Sequence, residues 1–496
     1  MKVISVFLTE EKYYTEAELK SILHYKDSNK FNAFKNRLIL SDILRVKRKN
    51  KNEDDVMSGN DEKVEILYKL RFVGIITFDN RVVYIFPKYL KSANEDEIIK
   101  LKQILEVLKK YSEEKHKVNI NYLNYYVDTD NNGEQSLLPI IFFLINDFQD
   151  NGELRYDLQE MKINGRGEPD WQRTVDEISP LIQNNRPVYT EIYSHENDYD
   201  DYNFFTQLHK YIIKDCIEQV ERTRLDHLFS IPNVEIDDTF EIDTDDLTYI
   251  LDKLDFQLSI TYQDRELEVL RGIKNYLENS KVLFGENVFQ FYGTKSFNLV
   301  WEYVCSVVFQ DQKEQTITQI NQDSRLNLQS TLSPDLTLKE FISKPVWQKD
   351  GYNYSASETL EPDFLKFVFQ DGELIFYIMD AKYYCLKWEN GSTKKISKQP
   401  GVQDIVKQYV YNLAYAELLE SNGINNVNNY FIIPKTDDYD SNATVAKLDI
   451  FEKKPIELDS IRVRAIDPEY LFSKFLESGI DRYLPLSFLE SNSNTD

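Results

Sequence analysis

Cysteine is scarce in this chain: the 496 residues hold three, Cys216, Cys305 and Cys385. They show no metal-ligand spacing, and an odd number leaves one unpaired. A disulfide framework is therefore not expected, and a reducing cytoplasm fits better. Histidine is nearly as rare. None of His24, His116, His195, His209 and His227 pairs at ligand spacing, which argues against a histidine metal site. No glycine precedes a lysine, so the chain has no Gly-x-x-x-x-Gly-Lys-[Ser/Thr] and is expected to bind no nucleotide itself in the P-loop manner. No uncharged stretch approaches the roughly 18 residues that cross a bilayer. Residues 1–10 carry only a short apolar run, without a signal-peptide pattern, so no membrane association is expected. Positive charge is short as well: 59 Lys and Arg against 84 Asp and Glu leave a net charge of −25. A polyanion would be repelled by the chain as a whole, so a nucleic-acid enzyme of this composition needs a partner to deliver its substrate. Local charge differs from the average. Residues 45–51 are basic, while 196–201 and 235–246 are acidic and read as solvated loops. Aromatics, by contrast, are abundant, with 33 Tyr and 29 Phe.

The chemistry concentrates late in the chain. Leu360-Glu361-Pro362-Asp363 opens an apolar run at 364–369, and Gln370-Asp371-Gly372-Glu373 reads as a turn. A second apolar run at 374–379 delivers Asp380-Ala381-Lys382. Asp371-Gly372 favours a two-residue hairpin turn. Gln370 then pairs with Glu373, and counting back sets Asp363 opposite Asp380, provided no bulge intervenes. Strand alternation puts Asp380 and Lys382 on the side of Leu374, Phe376 and Ile378. Both faces are apolar, as in a central strand covered on both sides. Two aspartates supply oxygen ligands for a divalent metal, and a lysine orients or activates water, which is what phosphodiester hydrolysis needs. The bland alternative is a strand end with solvated charges.

These residues resemble the PD-(D/E)XK nuclease superfamily. Glu168-Pro169-Asp170 is a decoy, because no acid-x-Lys ends a strand shortly after it. Two helices flank the hairpin. Residues 296–309 are strongly apolar at helical spacing and are interrupted by Glu302; in such folds a glutamate on this helix often reaches the metal site. Residues 402–419 form a second amphipathic helix, stopped near Ser421-Asn422-Gly423. It carries Lys407, Gln408 and Tyr411, accessory positions in several nuclease branches. The usual form there is Gln-x-x-x-Tyr, and here Tyr411 follows Gln408 by three residues.

Taken together, Trp301-Glu302, Glu361-Pro362-Asp363, Asp380-Ala381-Lys382-Tyr383-Tyr384 and Asp404-Ile405-Val406-Lys407-Gln408 resemble the LlaJI family of restriction endonucleases, nuclease subunits of two-component systems related to McrBC. Residues 167–174 and 180–189 resemble the central region of that family. Residues 72–75 and 83–88 resemble the N-terminal β-region of McrC-like subunits. The likeness spans roughly 66 to 434. It implies Mg²⁺ (Mn²⁺ as substitute) held by Asp363, Asp380 and the Ala381 carbonyl, with Glu302 as a direct or water-mediated ligand and Lys382 at the water. It also implies double-stranded DNA as substrate and a McrB-like AAA+ partner using GTP or another NTP. Dimerisation would serve double-strand cleavage. The runners-up are a nuclease of repair or transposition and a non-catalytic adaptor with a decayed fold; the presence of Glu302, Asp363, Asp380 and Lys382 argues against decay.

The expected fold is α/β (α+β overall), divided into three domains. Residues 1–121 would be an N-terminal McrC-like partner-docking module. In it, two β-runs, 65–78 and 81–86, meet at Asp79-Asn80, and a helix follows at 95–111. Arg71, Arg81 and Lys88 are its candidate docking residues. Residues 50–62 read as a loop. Residues 122–283 would be a mostly helical linking domain, with 204–217 its clearest helix, His209 its best-placed histidine and Trp171 in its core. Residues 284–489 would be a PD-(D/E)XK domain with a mixed central sheet flanked by helices, followed by a disordered tail at 490–496.

Overall fold

The computed structural model describes residues 3–49, 65–91, 93–115, 137–200, 202–228, 246–278, 289–329, 333–390, 394–436, 444–454 and 456–490. The expected loop at 50–62, most of the acidic 235–246 run and all but Glu490 of the tail lie outside the described residues. The fold is mixed α and β, with several separate sheets.

The chain forms two compact units, and their limits do not follow the expected boundaries at 121 and 283. One unit comprises residues 1–3, 77–80 and 134–291; the other comprises 4–76, 81–133 and 292–496.

The first unit is built on helices Leu137–Asn151, Phe204–Thr223, Leu247–Ile260 and Asp264–Glu278. His209 lies inside it, fully buried. Its Nδ1 accepts from the Leu154 N–H at 3.1 Å, and burial holds its pKa down at about 3, so it is a neutral core group. A long antiparallel hairpin, Asp157–Ile163 with Tyr193–Tyr199, also belongs to this unit. The decoy aspartate has a structural task. Asp170 caps helix Trp171–Glu177, accepting from Arg173 N at 3.0 Å, and it pairs with His195 Nε2 at 3.3 Å. Trp171, expected in the core, is instead 54% exposed, because its short helix packs little beyond Thr174 inward.

The expected continuous run at 65–78, which lies in the second unit as far as Ile76, breaks at Arg71-Phe72. Strand Glu65–Leu70 lies between Tyr13–Thr15 and Leu44–Lys49, whereas Val73–Phe78 lies between Arg81–Phe86 and Phe289–Thr294. Gly74 is required by close approach: a Cβ there would meet the Tyr292 carbonyl oxygen at 2.2 Å. Helix Ile98–Lys115 buries Leu101, Ile104, Leu105, Val107 and Leu108.

The sheet that matters for chemistry is also in this unit. Helix α1 (Phe297–Val308) precedes strands β1 (Phe364–Gln370) and β2 (Glu373–Ala381). Helix α2 (Val402–Ala414) then leads to β3 (Asn426–Pro434), β4 (Thr444–Ala446), β5 (Ile461–Ile466) and helix α3 (Pro468–Leu476). The spatial order is β1-β2-β3-β5-β4. The β1–β2 and β4–β5 pairs are antiparallel, and β2–β3 and β3–β5 are parallel. A parallel β2–β3 pair requires a crossover, which α2 supplies. Leu365, Phe367, Phe376 and Ile378 pack with Tyr411, Tyr415, Leu418 and Leu419 in one core. The expected 402–419 helix is divided at Tyr415, whose hydroxyl donates to the Leu338 carbonyl at 2.9 Å, and a short helix, Ala416–Ser421, follows. Among the described residues, no helix is long and apolar enough to cross a membrane.

Candidate active site

The site grows out of the β1–β2 hairpin. Asp371 and Gly372 both have positive φ, 52° and 86°, the backbone a tight mirror-image turn demands. Gln370 faces Glu373, and the ladder runs without a bulge to Phe364 facing Met379. One step further, Asp363 comes opposite Asp380. Its Oδ2 accepts the Ala381 N–H at 3.0 Å. Leu365, Phe376 and Ile378 are in the core beneath α2, so alternation turns Asp363, Asp380 and Lys382 toward the same side.

Asp380 is only 4% exposed. Lys382 Nζ stands 2.8 Å from its Oδ1 and 3.6 Å from Asp404 Oδ1. The Lys382–Asp380 contact is a close charge pair rather than an aligned hydrogen bond, so Asp380 Oδ1 has no hydrogen-bond donor among the described residues. Burial first, then the hydrogen bond and the charge of Asp380, push the Asp363 carboxyl well above the ordinary carboxylate range. Two buried carboxyl groups side by side require a shared proton or a cation between them. Burial works against the charge of Lys382, but Asp380 and Asp363 outweigh it and hold the ammonium above its usual range.

Glu302 sits half-buried on α1. The helix is anchored by its neighbour Trp301, whose indole N–H donates to the Ile432 carbonyl at 3.4 Å. Burial raises the Glu302 pKa; Lys313 opposes this, Asp380 adds to it and Lys382 opposes it. Glu302 is thus within electrostatic reach of the pair. Among the described residues, no three His, Cys, Asp or Glu side chains converge as a ready-made metal cage. The donor set is therefore two carboxylates, one of them with an oxygen that has no hydrogen-bond donor among the described residues, and a neighbouring carbonyl. That suits a hard cation that keeps several waters, with Glu302 acting through one of them.

The accessory residues divide. The Tyr411 hydroxyl donates to the Glu361 carbonyl at 2.8 Å, two residues from Asp363, and its pKa is raised by burial and then by Asp380 and Asp363. Lys407 is exposed. Gln408 is fully buried, and among the described residues neither atom of its side-chain amide is hydrogen-bonded and no hydrogen bond ties it to the aspartates. Asp404 is the residue that sequence reasoning passed over. Its Oδ2 accepts the Gly401 N–H at 2.8 Å, closing the first turn of α2, while its Oδ1 faces Lys382. An acid three residues after the glycine that opens an amphipathic helix was the available signal.

The expected docking residues are mostly occupied. Arg81 is buried: it donates to the Leu23 carbonyl at 2.7 Å and the His24 carbonyl at 3.1 Å, and it stacks on the Tyr25 ring at 3.6 Å. Its strand and Val73–Phe78 are buried along their whole length, so they form core rather than a docking face. Lys88 lies over the Tyr383 ring at 4.2 Å, and the Tyr383 hydroxyl donates to the buried Glu10 at 2.7 Å. Arg71 is partly exposed, 3.8 Å from Asp42.

A mixed α/β fold that sets a buried and a half-buried carboxyl group beside a half-buried lysine at the open end of one hairpin has the equipment of a hydrolytic enzyme. The chain belongs to the LlaJI restriction endonuclease family, whose family model matches residues 72–467, and it is accordingly a nuclease of a restriction system. A relative from Bacillus subtilis (strain 168), the type II restriction enzyme BsuMI component YdjA, is 27% identical over 420 residues, 82% of this chain and 80% of that protein. Among solved structures, a half-complex from the tetradecameric assembly of Thermococcus gammatolerans McrB AAA+ hexamers with bound McrC superposes with a TM-score of 0.37 at 12% identity, over 95% of this chain and 99% of that chain. The cryo-EM structure of the McrBC complex of the same organism gives a TM-score of 0.23 at 12% identity, over 60% of this chain and 84% of that one. Neither superposition is close enough to define the fold.

Proposed function

We propose that this chain is the nuclease subunit of a two-component, NTP-dependent restriction system and hydrolyses phosphodiester bonds of double-stranded DNA with Mg²⁺. The observation that carries the reading is the register of one hairpin, which brings Asp363, Asp380 and Lys382 together, with the charge of Glu302 in reach. Asp363, Asp380 and the Ala381 carbonyl would hold the metal, and Glu302 would meet it through water. When bound, the ion supplies Lewis-acid stabilisation of the charge that develops on the phosphate and its leaving oxygen. Lys382 orients the attacking water and places a positive charge beside the phosphate.

A partner fits the composition, because −25 opposes approach to DNA. The name of the B. subtilis relative describes a component, in keeping with a multi-subunit enzyme. Since Arg81 is buried, partner contact is assigned instead to the segment beyond the Ile163–Tyr193 end of the long hairpin in the first unit. There Trp171, Val175, Leu181, Ile182 and Val188 are all exposed. Apolar side chains exposed along one short segment make it a candidate contact site. The AAA+ NTPase implied by sequence resemblance is its expected occupant.

The experiment is DNA cleavage by the full chain with its NTPase, with and without Mg²⁺, for the native sequence, Asp380→Ala and Lys382→Ala. Both variants are expected to fold and to lose cleavage by orders of magnitude. Cleavage that survives EDTA or Asp380→Ala overturns the assignment.

A further inference from the structure

The catalytic strand does not end the local structure. Five residues beyond Lys382, a separate two-stranded hairpin begins, Lys387–Asn390 paired with Lys394–Ser397. Between residues 387 and 398 the sequence holds four lysines, Lys387, Lys394, Lys395 and Lys398, and a single acid, Glu389, in a chain that is otherwise strongly acidic. All four lysines are exposed, and Trp388 is 49% exposed. None of the four forms a salt bridge among the described residues.

Both roots of this hairpin are fixed at the site. On one side the chain passes from Ala381 and Lys382. On the other it enters α2, where Asp404 lies 3.6 Å from Lys382 Nζ. Ile396 packs on the core formed by Leu386, Tyr409, Phe431 and Ile433, so the hairpin is seated rather than loose. Register pairs Trp388 with Ile396 and Lys387 with Ser397. Alternation therefore places Trp388 on the side of Ile396, and Lys387 and Lys395 together on the opposite side.

We propose that this lysine hairpin grips the DNA backbone beside the scissile phosphate, with Trp388 bearing on the sugar and base edges. The proposal rests on the nuclease reading above and names the surface by which this chain holds its substrate. A four-residue strand extends about 13 Å, comparable with about four phosphates of axial rise along one DNA strand. Lys387 follows Lys382 by five residues, at most about 18 Å of extended chain, so phosphates flanking one held at Lys382 come within reach of the start of the hairpin. Four exposed ammonium groups against one acid complement a polyanion, and they locally reverse the repulsion of an acidic chain. The planar, half-exposed Trp388 indole, on the other face of the hairpin from Lys387 and Lys395, fits sugar and base contacts.

The test uses the full-length chain and a fluorescent 30-base-pair duplex. Anisotropy titrations run from 50 to 200 mM NaCl. Lys387→Gln/Lys395→Gln is expected to lower the slope of log K against log[salt] by about 2, equally on unrelated sequences. Trp388→Ala should weaken binding at every salt concentration and leave the slope unchanged. Lys47→Gln/Arg48→Gln, on the other basic strand, should change neither. An unchanged slope in the hairpin double variant overturns the proposal, as does a loss seen only in the Lys47/Arg48 variant. Loss of NTPase stimulation with an unchanged DNA slope assigns the hairpin to the protein partner and overturns it too. If the native chain cuts DNA while the hairpin variant binds and cuts equally well, the hairpin assignment alone fails. If the native chain with its partner and Mg²⁺ never cuts DNA, the nuclease reading fails and the hairpin proposal falls with it.

Discussion

Asp404→Asn isolates the electrostatics of the site from its architecture. The carboxylate has two tasks on two oxygens: Oδ2 caps the Gly401 N–H, and Oδ1 faces Lys382 at 3.6 Å. An asparagine keeps an acceptor for the cap and removes the charge. At 3.6 Å a unit-charge pair is worth about 1 kcal/mol in water and about 4–5 kcal/mol at an effective dielectric of 20. The two side chains are 24% and 22% exposed, and Lys382 retains Asp380 at 2.8 Å, so the lower part of that range applies. The expected cost is about 1–2 kcal/mol in the chemical step, a fall in kcat of roughly 5- to 30-fold. KM should change little, because Asp404 is assigned to Lys382 and not to the DNA. The assay is metal-dependent cleavage under saturating and limiting substrate, with circular dichroism to confirm the fold. An unchanged kcat refutes the assignment of Asp404 to Lys382. So does a loss confined to KM, which would place Asp404 in substrate binding.

Asp170→Ala should leave cleavage chemistry intact and lower the melting temperature slightly through the lost cap of helix Trp171–Glu177; a cleavage defect of the size of Asp380→Ala would refute this. Asp311 is half-buried and accepts the Leu365 N–H at 2.9 Å, and loss of water around it raises its pKa from 3.8 to about 6. A raised carboxyl binds its proton more tightly in the folded state, so stability falls as pH rises from about 4 to about 6, by about 3 kcal/mol for this group. Asp311→Asn should match the native melting temperature near pH 4 and exceed it above pH 6, and a gap that does not change with pH is the contrary result. Deleting residues 1–112 should lower or abolish cooperative melting of the second unit. The deletion removes Gln103 and Lys110, which donate to the Glu469, Leu476 and Glu477 carbonyls of α3 and its C-terminal cap, together with the apolar face of helix 98–115. A truncated chain that melts normally by circular dichroism would show that the helix is dispensable.

Much of the site was legible in the sequence because it depends on local rules. The turn residues Asp371-Gly372 set the loop length, loop length set the register, and period-two alternation set the face. Hence Asp363 opposite Asp380, with Lys382 alongside, followed from spacing. The flanking helices followed from helical periodicity, and Trp301 at full burial fits that pattern. The decoy aspartate was separable because it lacked a strand-end partner.

Long-range packing decided the rest. A hydrophobic run such as 65–78 does not say which sheet it joins, so its division between two sheets was not visible. Nor does an arginine on a strand reveal whether carbonyls will surround it; Arg81 found Leu23 and His24, nearly sixty residues earlier in the chain. Exposure was misjudged where a large side chain implied a core, as at Trp171. The pairing of Lys382 with Asp404, twenty-two residues on, required the crossover helix to return beside the strand. The sequence by itself determined which residues share a strand face, because covalent geometry imposes alternation. Only the tertiary structure decided which charges meet across elements, because that depends on how separate apolar faces pack together to leave water.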